Sequence, residues 1–171
     1  MLNPDRDGIE SGLFEVEPYR PEKIPLVFVH GLMSSPGTWV AAMNTLRADP
    51  KLRAKYQALA FFYPTGFPIP HNAALLRKSL KDYQEFYDPQ RRNPNLREMI
   101  LIGHSMGGIL SNMQIRDSGN SLERQILTKP IAEVDAFTAE QKQLLAEATR
   151  YTANPDITRA VFIASPHRGC D

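Results

Sequence analysis

The turn GHSMG at residues 103–107 constrains this chain more than any other feature of its sequence. It fits the pattern G-x-S-x-G, and the short apolar run at residues 99–102 predicts a buried strand directly before it. Residues 108–117 predict a helix after it. A serine on the sharp turn between such a strand and such a helix presents its hydroxyl above the end of a sheet. The pattern therefore predicts a nucleophile at Ser105.

The residues around the serine support this turn. Glycines are needed because the turn is strained and the helix must pass close to neighbouring strands. We expect Gly103, His104, Gly107 and Gly108 to shape the turn rather than to react. A tight turn selected only for packing is the alternative interpretation of the pattern.

A second loop is predicted to complete the site. Residues 24–29 form a continuous apolar run, which is typical of a strand buried on both faces of a parallel sheet. The tripeptide His30-Gly31-Leu32 follows it, and the loop after such a strand can aim a backbone N–H at the serine. We expect the N–H groups of Leu32 and Met106 to form an oxyanion hole, with His30 and Gly31 supporting the loop.

The remaining sequence alternates between predicted strands and helices, which favours an α/β fold with a parallel central sheet and helices on both faces. Further strands are predicted at residues 58–63 and 160–164, and a weak edge strand at 13–17. Residues 118–156 are more polar and longer than a usual connection, so they predict a helical insertion within a single domain, 1–171. Local signals add detail: a helix start at Ser35-Pro36 with Trp39, Ala42, Met43 and Leu46 on its apolar face, a helix cap at Asn72, and a capping box at Thr138 and Gln141 that starts a helix over 138–151.

Composition excludes several classes of protein. The net charge is only +1, from 20 basic and 19 acidic residues, which argues against nucleic acid as a partner. The single cysteine, Cys170, cannot form an internal disulfide. Residues 1–12 lack the apolar core of a signal peptide, so the sequence leaves localisation open between the cytoplasm and export with the leader removed.

Three segments together resemble a known family. They are VFVHGL at 27–32, GHSMGG at 103–108 and ASPHRG at 164–169, and they are similar to those of bacterial esterases and lipases of the α/β-hydrolase superfamily. The resemblance implies a three-layer sandwich with a mainly parallel central sheet. It also implies hydrolysis of a small-molecule ester or lipid through an acyl-enzyme on Ser105, with no metal and no cofactor.

The base and the acid of a catalytic triad are not found with the same clarity. Family members place the acid and then the histidine on later strand ends, and we expect these C-terminal strands to be missing from this sequence. His167 and Asp171 are the weak candidates that remain. The alternatives are a catalytically impaired fragment or pseudoenzyme, and a half-site completed by another chain.

The strand at residues 160–164 would then be an apolar sheet edge, which is a template for pairing with another strand. We therefore expect a homo-oligomer, or pairing through this edge.

Overall fold

A computed structural model describes residues 11–167. Its sheet has five strands in the order β1-β3-β2-β4-β5. The β1 strand pairs antiparallel with β3, and the other pairings are parallel. The strands are β1 Gly12–Glu15, β2 Ile24–Val29, β3 Tyr56–Phe62, β4 Met99–His104 and β5 Ile157–Ile163. The predicted mainly parallel sheet is confirmed.

Six α-helices lie among the described residues, with three short 3₁₀ turns at Pro36–Trp39, Pro94–Arg97 and Ile131–Glu133. The helices are α1 Val40–Ala48, α2 Pro50–Lys55, α3 Ile69–Tyr87, α4 Met106–Asn112, α5 Ser121–Ile126 and α6 Ala139–Thr149. None of the helices in this part of the chain is long and apolar enough to cross a membrane.

Apolar side chains cover the sheet on both faces, which makes the molecule three-layered as predicted. On one face, Leu26 and Phe28 of β2 pack in a cluster with Trp39, Met43 and Leu46. On the other face, a larger cluster joins the alternate residues of the strands to α3 and α4; it includes Val27, Val29, Leu59, Phe61, Leu76, Leu80, Leu101 and Leu110. Strand β2 is buried along its whole length, because it lies between two strands and between two helical layers.

Three local predictions were wrong in detail. The second predicted helix begins at Ile69 rather than at a cap on Asn72, whose side-chain amide instead donates to the carbonyls of Pro64 and Phe67. Ser35 precedes a 3₁₀ turn without a side-chain capping bond, so the α-helix starts only at Val40. Ala42 is exposed rather than part of the apolar face.

The C-terminal side of the molecule also differs from expectation. The helix after Ser105 ends at Asn112 rather than near residue 117. Strand β5 begins at Ile157, and its outer part is not buried, since Val161 is 46% and Ile163 43% exposed. It is an edge strand of the described sheet, as predicted, and no helix among residues 11–167 covers the apolar side chains of its outer part.

Residues 118–156 contain α5 and α6 rather than one helix. The capping box at Thr138 and Gln141 is present, and α6 begins after it as predicted. Helix α6 lies beside α3, where the Arg77 guanidinium donates to the Glu147 carbonyl and stacks on the Tyr151 ring. The interpretation of this segment as an insertion within a single domain stays a prediction.

Candidate active site

Ser105 lies on the turn between β4 and α4, at the carboxyl edge of the sheet. Its backbone has φ 52° and ψ −123°, a conformation that L-residues rarely adopt. The Ser105 N–H donates to the carbonyl of Ile163 at 2.9 Å, so the adjacent strand helps to hold the strained turn. The side chain is only half-buried, which leaves the hydroxyl within reach of a ligand.

Each glycine of the turn sits where a side chain would collide with backbone or with a neighbouring residue. A Cβ on Gly103 would lie 2.5 Å from the Gly107 carbonyl oxygen. A Cβ on Gly107 would overlap the carbonyl oxygens of Val29 and His30, at the end of β2. A Cβ on Gly108 would overlap the Ser165 hydroxyl. The turn, the His-Gly loop and the end of β5 are therefore packed directly against one another.

The His30-Gly31-Leu32 loop lies beside the serine. A Cβ on Gly31 would be 3.1 Å from Ser105 Cβ and 3.1 Å from His104 Nδ1, so a side chain here would press on both residues. The register explains the proximity, because Val29 pairs with Gly103 and both strands end at the same edge. Leu32 is 56% exposed and its side chain points to solvent, so its backbone is what it offers to the site.

His30 is fully buried and braces this loop. Its Nδ1 lies 3.0 Å from the Gly31 carbonyl oxygen, and because a carbonyl only accepts, the proton of the neutral ring is on Nδ1. Burial lowers the pKa of His30, so the ring is neutral at neutral pH. Nε2 has no hydrogen-bond partner among the described residues. The His30 ring therefore supports the loop backbone through a hydrogen bond. Because it is buried, it is poorly placed to take a proton from Ser105.

Met106 begins α4, where the first N–H groups have no acceptor within the helix. Its side chain is buried in the larger apolar cluster, which anchors the first turn. The N–H of Ser105 donates to the Ile163 carbonyl. The next N–H along the chain is that of Met106, which does not take part in this hydrogen bond. The geometry brings Ser105, Gly31 and the start of α4 together.

The other histidines are less well placed. No hydrogen bond joins any histidine ring to the Ser105 hydroxyl within the described part of the chain. His104 sits edge-on to Trp39, at 6.4 Å between ring centroids, with Nδ1 buried. His71 lies in the first turn of α3, where it is half-buried and its ring centroid is 5.2 Å from that of Phe67. His167 is exposed and packs edge-on against Phe162 at 4.7 Å.

The acidic candidates give no partner for a base. Asp171 lies outside the described residues. Asp156 is buried at the amino end of β5, opposite the serine edge, where Arg91 and the Gln84 amide hold its carboxylate at 2.8–2.9 Å. Its role is to anchor the start of the strand.

An apolar groove of about 420 Å³ lies between the start of α3 and residues 118–156. The lining includes no Asp, Glu, Lys or Arg side chain. The main apolar walls are Pro68, Pro70, Ile126, Phe137, Leu144 and Leu145. By contrast, the aromatic side chains of Phe61, Tyr63 and Trp39 are buried in the core and do not line this groove.

The sequence did not predict that Tyr63 and Ser165 contact the residues around Ser105. The Tyr63 hydroxyl donates to the His30 carbonyl at 2.6 Å, and Ser165 packs against Gly108. For Tyr63 a signal was present, since a tyrosine directly after an apolar strand stands at the same edge as the His-Gly loop. For Ser165 no signal was present, because the contact depends on how β5 is set against the turn.

Comparison with known proteins identifies the family. A model of the alpha/beta hydrolase family matches residues 26–168. The (lyso)-N-acylphosphatidylethanolamine lipases of Homo sapiens and Mus musculus are 29% identical over 118 residues and 26% identical over 115 residues. Each alignment covers 67% of this chain and 32% of the relative, so the chain spans about a third of the length of these curated relatives.

A solved structure is similar in fold. The mature form of the Bacillus licheniformis lipase BlEst2 superposes with a TM-score of 0.52 at 20% sequence identity, and the match covers 92% of this chain and 48% of that one. The family model spans most of the sequence, and the described sheet carries the strand–serine–helix turn at the end of β4. The chain therefore belongs to the α/β hydrolase family.

Proposed function

We propose that this chain carries the nucleophile and the oxyanion hole of a carboxylic ester hydrolase that acts through an acyl-enzyme on Ser105. The observation that carries the proposal is the close approach of Gly31 to Ser105, with 3.1 Å between a built Cβ and Ser105 Cβ. The loop lies beside a half-exposed hydroxyl on a strained turn, which is the arrangement that a nucleophile and an oxyanion donor require.

The reaction follows from the positions of these groups. Ser105 Oγ attacks the ester carbonyl carbon, and the carbonyl oxygen becomes an oxyanion. The N–H groups of Leu32 and Met106 stabilise that charge, and the alcohol leaves with the proton that the Ser105 hydroxyl gave up. Water then attacks the acyl-enzyme, releases the acid and restores the Ser105 hydroxyl.

The substrate class is proposed as an ester with an apolar acyl chain, lipids included. The apolar groove between α3 and α6 supports it, because the transfer of a hydrocarbon chain from water to such a lining lowers the free energy. Exposed Leu32, Met33 and Phe67 at the serine edge add apolar surface that a chain can contact. The lipase names of the curated relatives agree with this class.

The experiment compares hydrolysis of p-nitrophenyl acetate, butyrate and octanoate by the purified chain and by Ser105→Ala. Ser35→Ala is the matched control, because Ser35 is exposed and its side chain makes no capping bond. We expect Ser105→Ala to remove all activity above background and Ser35→Ala to keep it. Equal rates for the chain and Ser105→Ala would refute the proposal.

A second candidate is a half-site completed by another copy of the chain. It is favoured by the absence of a histidine bonded to Ser105 in residues 11–167. A shared site would make the rate per chain rise with protein concentration. A rate per chain that is constant over a hundredfold range of concentration would exclude it. A chain that binds an ester or lipid without hydrolysing it is the non-catalytic alternative, and the Ser105→Ala comparison separates that case.

A further inference from the structure

The Tyr63 hydroxyl is buried at the serine edge and donates to the His30 carbonyl at 2.6 Å. We propose that Tyr63 is a positioning residue, which fixes the His-Gly loop so that the Leu32 N–H is held toward Ser105. The inference rests on the proposed function in one respect, namely that this N–H serves as an oxyanion donor. The structural part of it, a loop clamped by Tyr63, stands separately.

Two consecutive peptide planes in the loop have their carbonyl groups held. Tyr63 holds the His30 carbonyl, and the Nδ1–H of His30 holds the Gly31 carbonyl at 3.0 Å. A trans peptide is planar, so its N–H points opposite to its C=O. No cis peptide occurs among the described residues. Holding the Gly31 carbonyl on the His30 side therefore turns the Leu32 N–H to the opposite side.

The Tyr63 ring also orients the His30 ring. The two rings stack with centroids 4.3 Å apart and planes 12° from parallel. Tyr63 in turn stacks on Phe61 at 5.4 Å, so the pair is anchored in the core beside β3. Because the stack fixes the imidazole plane, it fixes the direction of the Nδ1–H bond. Tyr63 thus acts on both carbonyls, on one by its hydroxyl and on the other through His30.

The His30 carbonyl touches the serine turn as well. Its oxygen lies where a side chain on Gly107 would have to go. A shift of this carbonyl would therefore displace the loop relative to the turn. Burial raises the pKa of Tyr63, so its hydroxyl stays protonated and remains a donor at any working pH.

The test is Tyr63→Phe, which keeps the ring and removes only the donor. The matched control is Tyr83→Phe, because Tyr83 lies in the same apolar cluster and its buried hydroxyl has no partner in the described residues. We expect Tyr63→Phe to lower kcat about tenfold, a fraction of the loss for a deleted oxyanion donor, with KM within about twofold. Tyr83→Phe should leave both constants unchanged. Replacing Tyr63 by 4-aminophenylalanine restores a donor and should recover most of kcat.

A measurement without substrate separates this inference from the proposed function. The backbone ¹⁵N order parameters of Gly31 and Leu32, measured by NMR relaxation, should fall in Tyr63→Phe and not in Tyr83→Phe. If Ser105→Ala abolishes hydrolysis while Tyr63→Phe keeps full kcat, the positioning role is wrong and the esterase proposal stands. If Ser105→Ala changes nothing, the order parameters alone decide: a fall confined to the loop supports the clamp, and unchanged values overturn it. A loss of fold in Tyr63→Phe without rescue by 4-aminophenylalanine would also overturn it.

Discussion

The centre of the sheet and the C-terminal side of the molecule, residues 118–163, use apolar sequence in different ways. Strands β2 and β5 both read as apolar runs, yet all six residues of β2 are buried and only Ile157 of β5 is. Two helical layers cover the centre. The C-terminal side relies on polar anchors, such as Asp156 with Arg91 and Glu123 with Arg150. An apolar run therefore identifies a strand, while burial depends on what packs over it.

The largest expected effect tests the close packing at the centre. Gly107→Ala should destabilise the fold by about 4 kcal/mol or more, because the new methyl group collides with two backbone carbonyls that cannot rotate away. Gly66→Ala is the control, since a Cβ there meets nothing within 4 Å. Urea unfolding followed by circular dichroism measures both. A loss below about 1 kcal/mol for Gly107→Ala would contradict the packing described for the turn.

A pair of substitutions compares the two regions directly. Leu101→Ala in β4 should cost about 2–5 kcal/mol, because it empties a fully buried site. Val161→Ala in β5 should cost less than about 1 kcal/mol, because Val161 is 46% exposed. Both values come from the same denaturation experiment. Equal costs would mean that the outer face of β5 is covered in solution, as the predicted oligomer requires.

The turn after β5 offers a smaller test. Ala164 has φ 48°, in the left-handed region that costs a non-glycine residue about 1–2 kcal/mol. Ala164→Gly should therefore raise the free energy of unfolding by about 0.5–1 kcal/mol, after the entropy of glycine in the unfolded chain is subtracted. Ala54→Gly in the exposed part of α2 should do the reverse and cost about 1 kcal/mol. Thermal melting of both variants measures the sign of each change in stability. A lower stability of Ala164→Gly would contradict the prediction.

The smallest effect concerns the polar anchor at Glu123. Hydrogen bonds from Arg150 and from the Ile131 N–H lower its pKa from 4.5 to about 2. A lowered pKa in the folded state stabilises the fold above the unfolded value, and this contribution is lost as the pH falls from about 4.5 toward 2. The melting temperature should therefore fall more steeply with acid in the native chain than in Glu123→Gln. Glu22→Gln is the control, because it removes only an exposed ion pair with Arg20 and should leave the dependence of the melting temperature on pH unchanged. The same pH dependence in all three proteins would contradict the prediction.

The sequence was sufficient to predict the structure at the centre of this molecule, but not at its margins. The strand before Ser105 and the run that ends at Val29 are specified by local apolar pattern, and the glycine spacing specifies the turn between β4 and α4. The burial of β5 could not be predicted, because it depends on neighbouring layers rather than on the strand itself. The contact of Tyr63 with His30 is also non-local, since it joins residues 33 positions apart. The start of α3 was misplaced because Pro70 is favoured in a first helical turn and the Asn72 amide had other partners.

The hydrogen bond from the Ser105 N–H to Ile163 makes the nucleophile turn and the sheet edge one cooperative unit. The proton of that bond can exchange with solvent only when the end of β5 separates from the turn. Its exchange rate is therefore a built-in reporter of how often the edge opens. The NMR resonance of the Ser105 amide alone therefore measures the local stability of the end of β5, which borders the site.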